Sequence, residues 1–299
     1  MKLVTYRHNG SAPRPGVIRE DRVLPLDYPD MRALFDDYDR GIAAAREADG
    51  PGTPLSEVTL EAPIVPKKFF HTAGNFREHE DESKNADWSH EIAPWIVFFQ
   101  NTDAIIGPDD AIVYPPHLTA ELDYELELCV VLKKPGKHFD ATQAEDFIGG
   151  YVVFNDITAR DIQRNEMRSG VFSFCKAIDT FCPVGPWIVT PDEVGDPHDL
   201  DMELRVNGEP RQQSHSSHMW VTVPQILAHY SALGYSAGDI LSTGTVSGVA
   251  AFSDDPEGNY LKPGDVVEAE VERVGVLRNP VVDWEEAHGT PPPQRTPRG

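Results

Sequence analysis

From Glu121 to Leu128 polar and apolar residues exchange places strictly: Glu121, Asp123, Glu125 and Glu127 alternate with Leu122, Tyr124, Leu126 and Leu128. A period of two is that of a β-strand, which sends successive side chains to opposite faces. Beyond Glu127 the acidic face turns apolar, with Cys129 and Val131. Val266 to Val271 sets Val and Ala against Glu in the same half-buried manner. Shorter strand-like runs cover Leu3 to Tyr6, Val17 to Leu26, Trp95 to Phe99, Ala111 to Tyr114, Tyr151 to Asn155 and Trp187 to Thr190. Asn207-Gly208 after Met202 to Val206 is a hairpin turn.

Helical periodicity is sparse. Asp30 caps a short helix from Met31 to about Asp37, and Ile42 to Ala48 suits a second. Thr142-Gln-Ala-Glu145 reads as a capping box before Phe147-Ile148. Pro224, the stripe Ile226, Leu227, Tyr230 and Leu233, and the closing Gly234 mark another helix. Gly50-Pro51-Gly52 interrupts the chain, and the proline-rich end lacks an apolar pattern. The expectation is a mainly β (α+β) protein with few helices. It comprises a small N-terminal domain over 1–66, a large β-rich domain over 67–284 and a disordered tail over 285–299.

Composition narrows the function classes. The 299 residues carry 49 acidic and 26 basic side chains, a formal net charge of −23. That excess disfavours nucleic acid and anionic membrane surfaces as partners. Three cysteines without a CxxC pair suit reduced thiols rather than a disulfide or zinc framework. Met1 to Gly10 holds no apolar signal core, and no apolar run nears the roughly 18 residues that cross a bilayer. A cytoplasmic location is expected.

The acidic strand face is the strongest chemical signal. Alternate side chains on a strand sit only ~7 Å apart. Consecutive carboxylates there repel one another, and a divalent cation would relieve the repulsion. Oxygen donors alone favour Mg²⁺, Mn²⁺ or Ca²⁺. A solvated acidic face explains the same pattern equally well by itself. A second concentration of polar residues ends the next strand: Asn155, Asp156, Thr158, Arg160, Asp161 and Gln163. Asp156 suits either a helix cap or a third oxygen ligand, and the Arg160 fork suits a carboxylate. In Gly74 to Glu82, His79 and Glu82 are neighbours on a helical turn. A carboxylate holding an imidazole makes a general base, although a surface histidine in an acidic run is the plainer reading. Lys176 stands in an apolar stretch as a candidate partly buried lysine. Gly238 to Gly248 alternates glycine with hydroxyls where a strand can approach a ligand. His215 and His218 fit an exposed loop better than a metal pair. Phosphate-loop, dinucleotide and HExxH signatures are missing.

In order and spacing, a set of stretches resembles the fumarylacetoacetate hydrolase family, over about Lys68 to Val282. They are Gly74-Asn-Phe-Arg-Glu-His79 with Glu82, Asp123-Tyr-Glu-Leu-Glu127 and Asn155-Asp-Ile-Thr-Ala-Arg-Asp-Ile-Gln163. Lys176, Cys182-Pro-Val-Gly-Pro186, Val206-Asn-Gly208, Thr243-Gly-Thr245 and Leu261-Lys-Pro-Gly-Asp265 complete the set. The resemblance implies stacked β-sheets of β-roll type and a homodimer. It implies Mg²⁺ or Mn²⁺, with Ca²⁺ as a third candidate, on Glu125, Glu127 and Asp156. It places a His–Glu dyad on His79 and Glu82, a catalytic lysine on Lys176, and substrate contacts on Arg160, Gln163 and Thr245.

The implied reaction is metal-dependent hydrolysis of the C–C bond of an acylpyruvate-like 1,3-dicarbonyl acid, a small keto acid of fumarylacetoacetate, fumarylpyruvate or acylpyruvate type. The cation serves as Lewis acid, His79 takes a proton from water, and Lys176 offsets the charge of the departing enolate. Isomerisation, tautomerisation or decarboxylation of keto-diacids uses the same apparatus and is the alternative. Only hydrolysis needs an activated water. Gln100, Val246 and Ala250 depart from the lysine, proline and glycine that the family often carries. His71 is a further unexpected residue, either lining the pocket or structural.

Overall fold

The computed structural model describes residues 1–85, 95–171 and 173–293. Its centre is a large sheet, whose middle runs, in hydrogen-bonded order, through Cys182–Val189, Ile148–Asn155, Leu126–Leu132, Ile240–Thr245, Phe69–Ala73 and Ile96–Phe99. Neighbours are antiparallel except Ile240–Thr245 with Phe69–Ala73, which are parallel. A second sheet of five strands packs beside it: Glu209–His215, Asp201–Val206, Val266–Val271, Gly275–Asp283 and Ile112–Tyr114. The mainly β architecture expected from the alternation is thus present. Asn207 and Gly208 both take positive φ, 54° and 81°, as the tight hairpin requires.

Leu126–Leu132 is buried along its whole length. Leu126, Leu128, Val130 and Leu132 face the core shared with the five-stranded sheet and the helix Val223–Tyr230. Cys129 and Val131 face a second core with Phe69, Val152 and Phe154. Covering a strand on both faces demands a continuous apolar run. Glu125 and Glu127 lie where the second face runs out of apolar residues.

The acidic segment is not one strand from Leu122 to Leu132. Leu122–Asp123 pairs with Thr158–Ala159 in a ribbon of its own, and Leu126–Leu132 begins after Glu125. Side-chain amides take over the ladder at the break. Asn155 Oδ1 accepts from the Glu125 N–H at 2.9 Å, and Gln212 Oε1 from that of Leu126 at 2.8 Å.

The N-terminal strands Lys2–Arg7, Arg14–Arg19 and Arg22–Pro25 extend the large sheet, because Lys2–Arg7 pairs with Cys182–Val189. Leu3, Val17, Leu34 and Phe35 share one core with Val131 and Phe154. The change of sequence pattern near residue 66 therefore does not coincide with a break in packing. Asp140, rather than Thr142, caps the 3-10 turn Ala141–Phe147, in a box with Gln143. The start of the expected tail is helical: Asp283 caps Trp284–His288, and the Trp284 ring packs on His117 at 4.6 Å. Residues 294–299 of that tail lie outside the described residues. Among the described residues no helix is long and apolar enough to cross a membrane.

Candidate active site

Strand register builds the site. Cys129 stands opposite Ser242, and Ser242 opposite His71, across three adjacent strands. Side chains aligned across neighbouring strands share a face. Glu127, two residues before Cys129, falls on that face and accepts a short hydrogen bond from the Ser242 hydroxyl. Asp156, just past the end of Ile148–Asn155, donates its N–H to the Glu125 carbonyl at 2.8 Å. Glu127 and Asp156 come within 4.8 Å of each other, and Glu125, with its oxygens on Lys176 and Arg160, lines the same cavity; the three are only 3%, 1% and 5% exposed.

Two cations answer these carboxylates. Lys176, in the turn Phe174–Lys176, donates to Glu125 Oε2 at 2.7 Å, Asp156 Oδ2 at 2.6 Å and Thr158 Oγ1 at 2.8 Å. Arg160 opens the helix Arg160–Met167. Its Nε donates to Asp123 Oδ2 at 2.7 Å, its Nη1 to Gln163 Oε1 at 2.9 Å, and its Nη2 lies 2.8 Å from Glu125 Oε1. Asp123 also accepts the N–H groups of Ala250 and Ala251, both at 2.9 Å. Glu166 ties the helix to the lysine turn, accepting from the N–H groups of Ser173, Phe174 and Cys175 at 3.2, 3.0 and 3.0 Å.

Four buried carboxylates, Asp123, Glu125, Glu127 and Asp156, thus face two cations, Arg160 and Lys176, leaving two negative charges over. The excess is shared unevenly. Burial would raise Glu125, but Lys176 and then Arg160 outweigh it and hold the carboxyl down to about 2. Burial pushes Asp156 up to about 7 despite Lys176, with Glu125 adding to the rise. Burial, then the charges of Asp156 and Glu125, push Glu127 well above the carboxylate range. The cations hold their protons firmly: both Lys176 and Arg160 are raised, because their carboxylate partners outweigh burial. Lys176 therefore stays charged, and the burden of repulsion falls on Asp156 and Glu127.

His71 belongs to this cluster. It is fully buried, with Nδ1 3.6 Å from Asp156 Oδ2 and 3.9 Å from Glu127 Oε2. Burial, then Lys176, hold it well below the usual imidazole range, so it is neutral. Both His71 nitrogens and Asp156 Oδ1 are buried without a hydrogen-bond partner among the described residues. Orphaned buried donors and acceptors are rare in a folded protein. With the repulsion that burial leaves on Glu127 and Asp156, they fit a divalent cation beside those two carboxylates.

His79 and Glu82 lie on the helix Arg77–Asn85, with Nδ1 and Oε2 3.5 Å apart. Glu82 is anchored from behind by the Gly248 N–H, at 2.9 and 3.2 Å to its two oxygens. Gly248 has φ +95°, and a Cβ there would lie 2.3 Å from the Arg211 carbonyl oxygen. Only glycine lets the backbone pass so close with its N–H aimed at Glu82.

One cavity of about 560 Å³, its open mouth included, is lined by His79, Glu125, Glu127, Asp156, Arg160, Gln163, Lys176 and Thr245. Of the residues expected to form the site, Glu82 is outside the lining, behind His79, and His71 lies outside it as well. Several lesser positions are also settled by the structure. Asp156 caps no helix, since Ala159 precedes Arg160–Met167. Arg160 is largely engaged by Asp123, Glu125 and Gln163. Gln100 is buried away from the cavity. His218 pairs with Glu78 at 2.6 Å, apart from the site. Phe98, Met167 and Phe252 also line the cavity and carry no chemical signature by which sequence alone would single them out.

With this geometry in place, similarity to known proteins becomes informative. The family described as fumarylacetoacetate (FAA) hydrolase C-terminal matches residues 68–282. The mitochondrial oxaloacetate tautomerase Fahd2a of Rattus norvegicus is 39% identical over 241 residues, covering 80% of this chain and 74% of that protein. The 2,4-didehydro-3-deoxy-L-rhamnonate hydrolase of Sphingomonas sp. is 34% identical over 288 residues, covering 95% of this chain and 97% of that one. The crystal structure of maleylpyruvate hydrolase from Sphingobium sp. SYK-6 with manganese(II) and pyruvate superposes with TM-score 0.74 at 29% identity, over 95% of this chain and 99% of that one. The chain therefore belongs to the fumarylacetoacetate hydrolase family.

Proposed function

We propose that the protein hydrolyses the C–C bond of an acylpyruvate-like 1,3-dicarbonyl acid with the help of a divalent cation. The observation that carries this reading is His79 on the cavity wall, with its Nδ1 3.5 Å from the Glu82 carboxylate, which is itself held by Gly248. An imidazole beside a carboxylate supplies a base for water. Tautomerisation also moves a proton, but neither it nor decarboxylation consumes a water.

A cation held by Glu125, Glu127 and Asp156 would polarise the keto-acid oxygens when bound. His79 takes a proton from water, and the hydroxide adds to the carbonyl carbon distal to the carboxylate. The C–C bond breaks with its electron pair passing to the keto-acid fragment. Lys176, with three protons on Nζ, offsets the charge that gathers there. The proton that His79 took from water passes to the carbon of the released keto acid, and the acyl group, carrying the hydroxyl, leaves as a free carboxylic acid. Gln163 has its Oε1 committed to Arg160, so its amide N–H₂ is the end left for the substrate carboxylate. The charge of Arg160 adds attraction from behind. Holding the substrate in one pose is worth several powers of ten in rate.

A second reading, tautomerisation of an oxaloacetate-like keto-diacid, is favoured by the 39% identity to the rat tautomerase. A panel of acylpyruvates plus oxaloacetate, assayed with Mg²⁺ or Mn²⁺ and with excess chelator, separates the two. Pyruvate and a free acid, lost on chelation and in His79→Ala, are expected. A keto–enol absorbance change without pyruvate would overturn hydrolysis in favour of the tautomerase.

A further inference from the structure

We propose that His71 is an additional ligand of the cation, so that the site is a mixed imidazole–carboxylate one selective for Mn²⁺ or a similar transition dication over Mg²⁺. The inference rests on the reading above that these carboxylates take a divalent cation. One nitrogen of His71 and one oxygen each of Glu127 and Asp156 lie within 4.8 Å of one another. Ligands around one small dication stand roughly 3 to 4 Å apart when each bond is near 2.1 Å. The 3.6 and 3.9 Å from His71 Nδ1 to the two carboxylates fall in that span.

The ring is held for this task. It is sandwiched between Phe69, 4.8 Å away at 10°, and Phe98, 4.5 Å away at 13°. Stacking on both faces leaves only the ring edge free to turn in its own plane, and that edge meets the carboxylates. A purely structural histidine at 0% exposure normally finds a hydrogen-bond partner for at least one nitrogen. Neither nitrogen has one among the described residues. Carboxylate oxygens suit Mg²⁺ and Mn²⁺ alike, whereas an added imidazole nitrogen is a donor that transition dications accept and Mg²⁺, which keeps its waters, does not favour.

The test loads chelator-stripped protein with Mn²⁺ and records electron spin-echo envelope modulation. The native protein should show the ¹⁴N coupling of a directly bound imidazole. His71→Phe, which keeps an aromatic ring between Phe69 and Phe98, should lose it. Calorimetric titrations with Mn²⁺ and Mg²⁺ should show a native preference for Mn²⁺ that falls by about tenfold or more in His71→Phe. His71→Asn, smaller and polar, should behave as His71→Phe, and circular dichroism checks that both fold. Mn²⁺ bound without ¹⁴N coupling, and with an unchanged preference in both variants, would overturn the ligand assignment and leave the cation site standing. Failure of the native protein to bind either ion would overturn both.

Discussion

Replacing Asp156 by Asn should stabilise the chelator-treated protein at pH 8 while removing its affinity for the cation. Asp156 titrates near 3.8 when unfolded and is raised to about 7 in the folded protein. The folded state therefore holds a proton that the unfolded chain has already released, and stability is lost as pH climbs from about 4 through 7. Each pH unit in that window costs about 1.4 kcal/mol, so the loss reaches on the order of 4 kcal/mol at pH 8. Asn cannot ionise and keeps an oxygen for Lys176, but it forfeits part of the attraction to that ammonium. A net gain of about 1 to 3 kcal/mol is the expected result, or roughly 2 to 4 °C in Tm per kcal/mol for a chain of this size. Glu125 has the opposite sign, lying at about 2 against 4.5 unfolded. Its contribution is complete above pH 5 and does not shift the window. Scanning calorimetry of both proteins in chelator at pH 5 and pH 8 is the assay. The advantage of Asn should appear at pH 8 and vanish at pH 5. With excess Mn²⁺ the order should invert, because ligand binding stabilises only the native site. An Asp156→Asn variant that is less stable by the same margin at both pH values would refute the picture of an overcharged site.

Lys176→Met leaves the buried carboxylates with Arg160 alone and should cost about 3 to 5 kcal/mol at pH 8, less at pH 5, by urea denaturation. His79→Ala should lower kcat for C–C hydrolysis by about 100-fold or more while Mn²⁺ affinity, read by calorimetry, stays within about twofold. Gly248→Ala forces a side chain against the Arg211 carbonyl and pulls the N–H from Glu82. It should lower kcat and reduce stability by about 1 to 3 kcal/mol, with cation binding retained. Mn²⁺ affinity of the native protein should rise between pH 5.5 and 8 as Asp156 releases its proton, and a titration series across that range checks it.

The cluster of acidic groups was legible because strand periodicity is local: Glu125 and Glu127 share a face whatever surrounds them. Their burial was not, since sequence alone leaves a solvated acidic face equally open. What removes water is long-range, namely the strand Phe69–Ala73 beyond Ile240–Thr245 and the lysine turn from another part of the chain. The same distance in sequence hid the use of His71, 56 residues before Glu127 yet beside it in space. The break in the acidic strand was invisible for a different reason. It depends on Asn155 and Gln212 substituting side-chain amides for backbone partners, and propensity does not report such replacements. Likewise, the alternation in Lys2–Arg7 announced a strand but not which sheet it would join.

The tether made by Glu166 bears on how this scaffold could be re-engineered. Three N–H groups around Phe174 hang on one carboxylate at the end of the helix that begins with Arg160. Burial opposes the charge on Glu166, and those three bonds outweigh it, keeping the group ionised. The tether thus ties the lysine turn to the helix. Arg168 to Val171 follow Met167, which lines the cavity, so they are the place to vary with the lysine left on its tether. Diversifying Arg168 to Val171 while keeping Glu166 is accordingly the economical route to a new substrate preference, whereas any library that touches Glu166 would unmoor the lysine first.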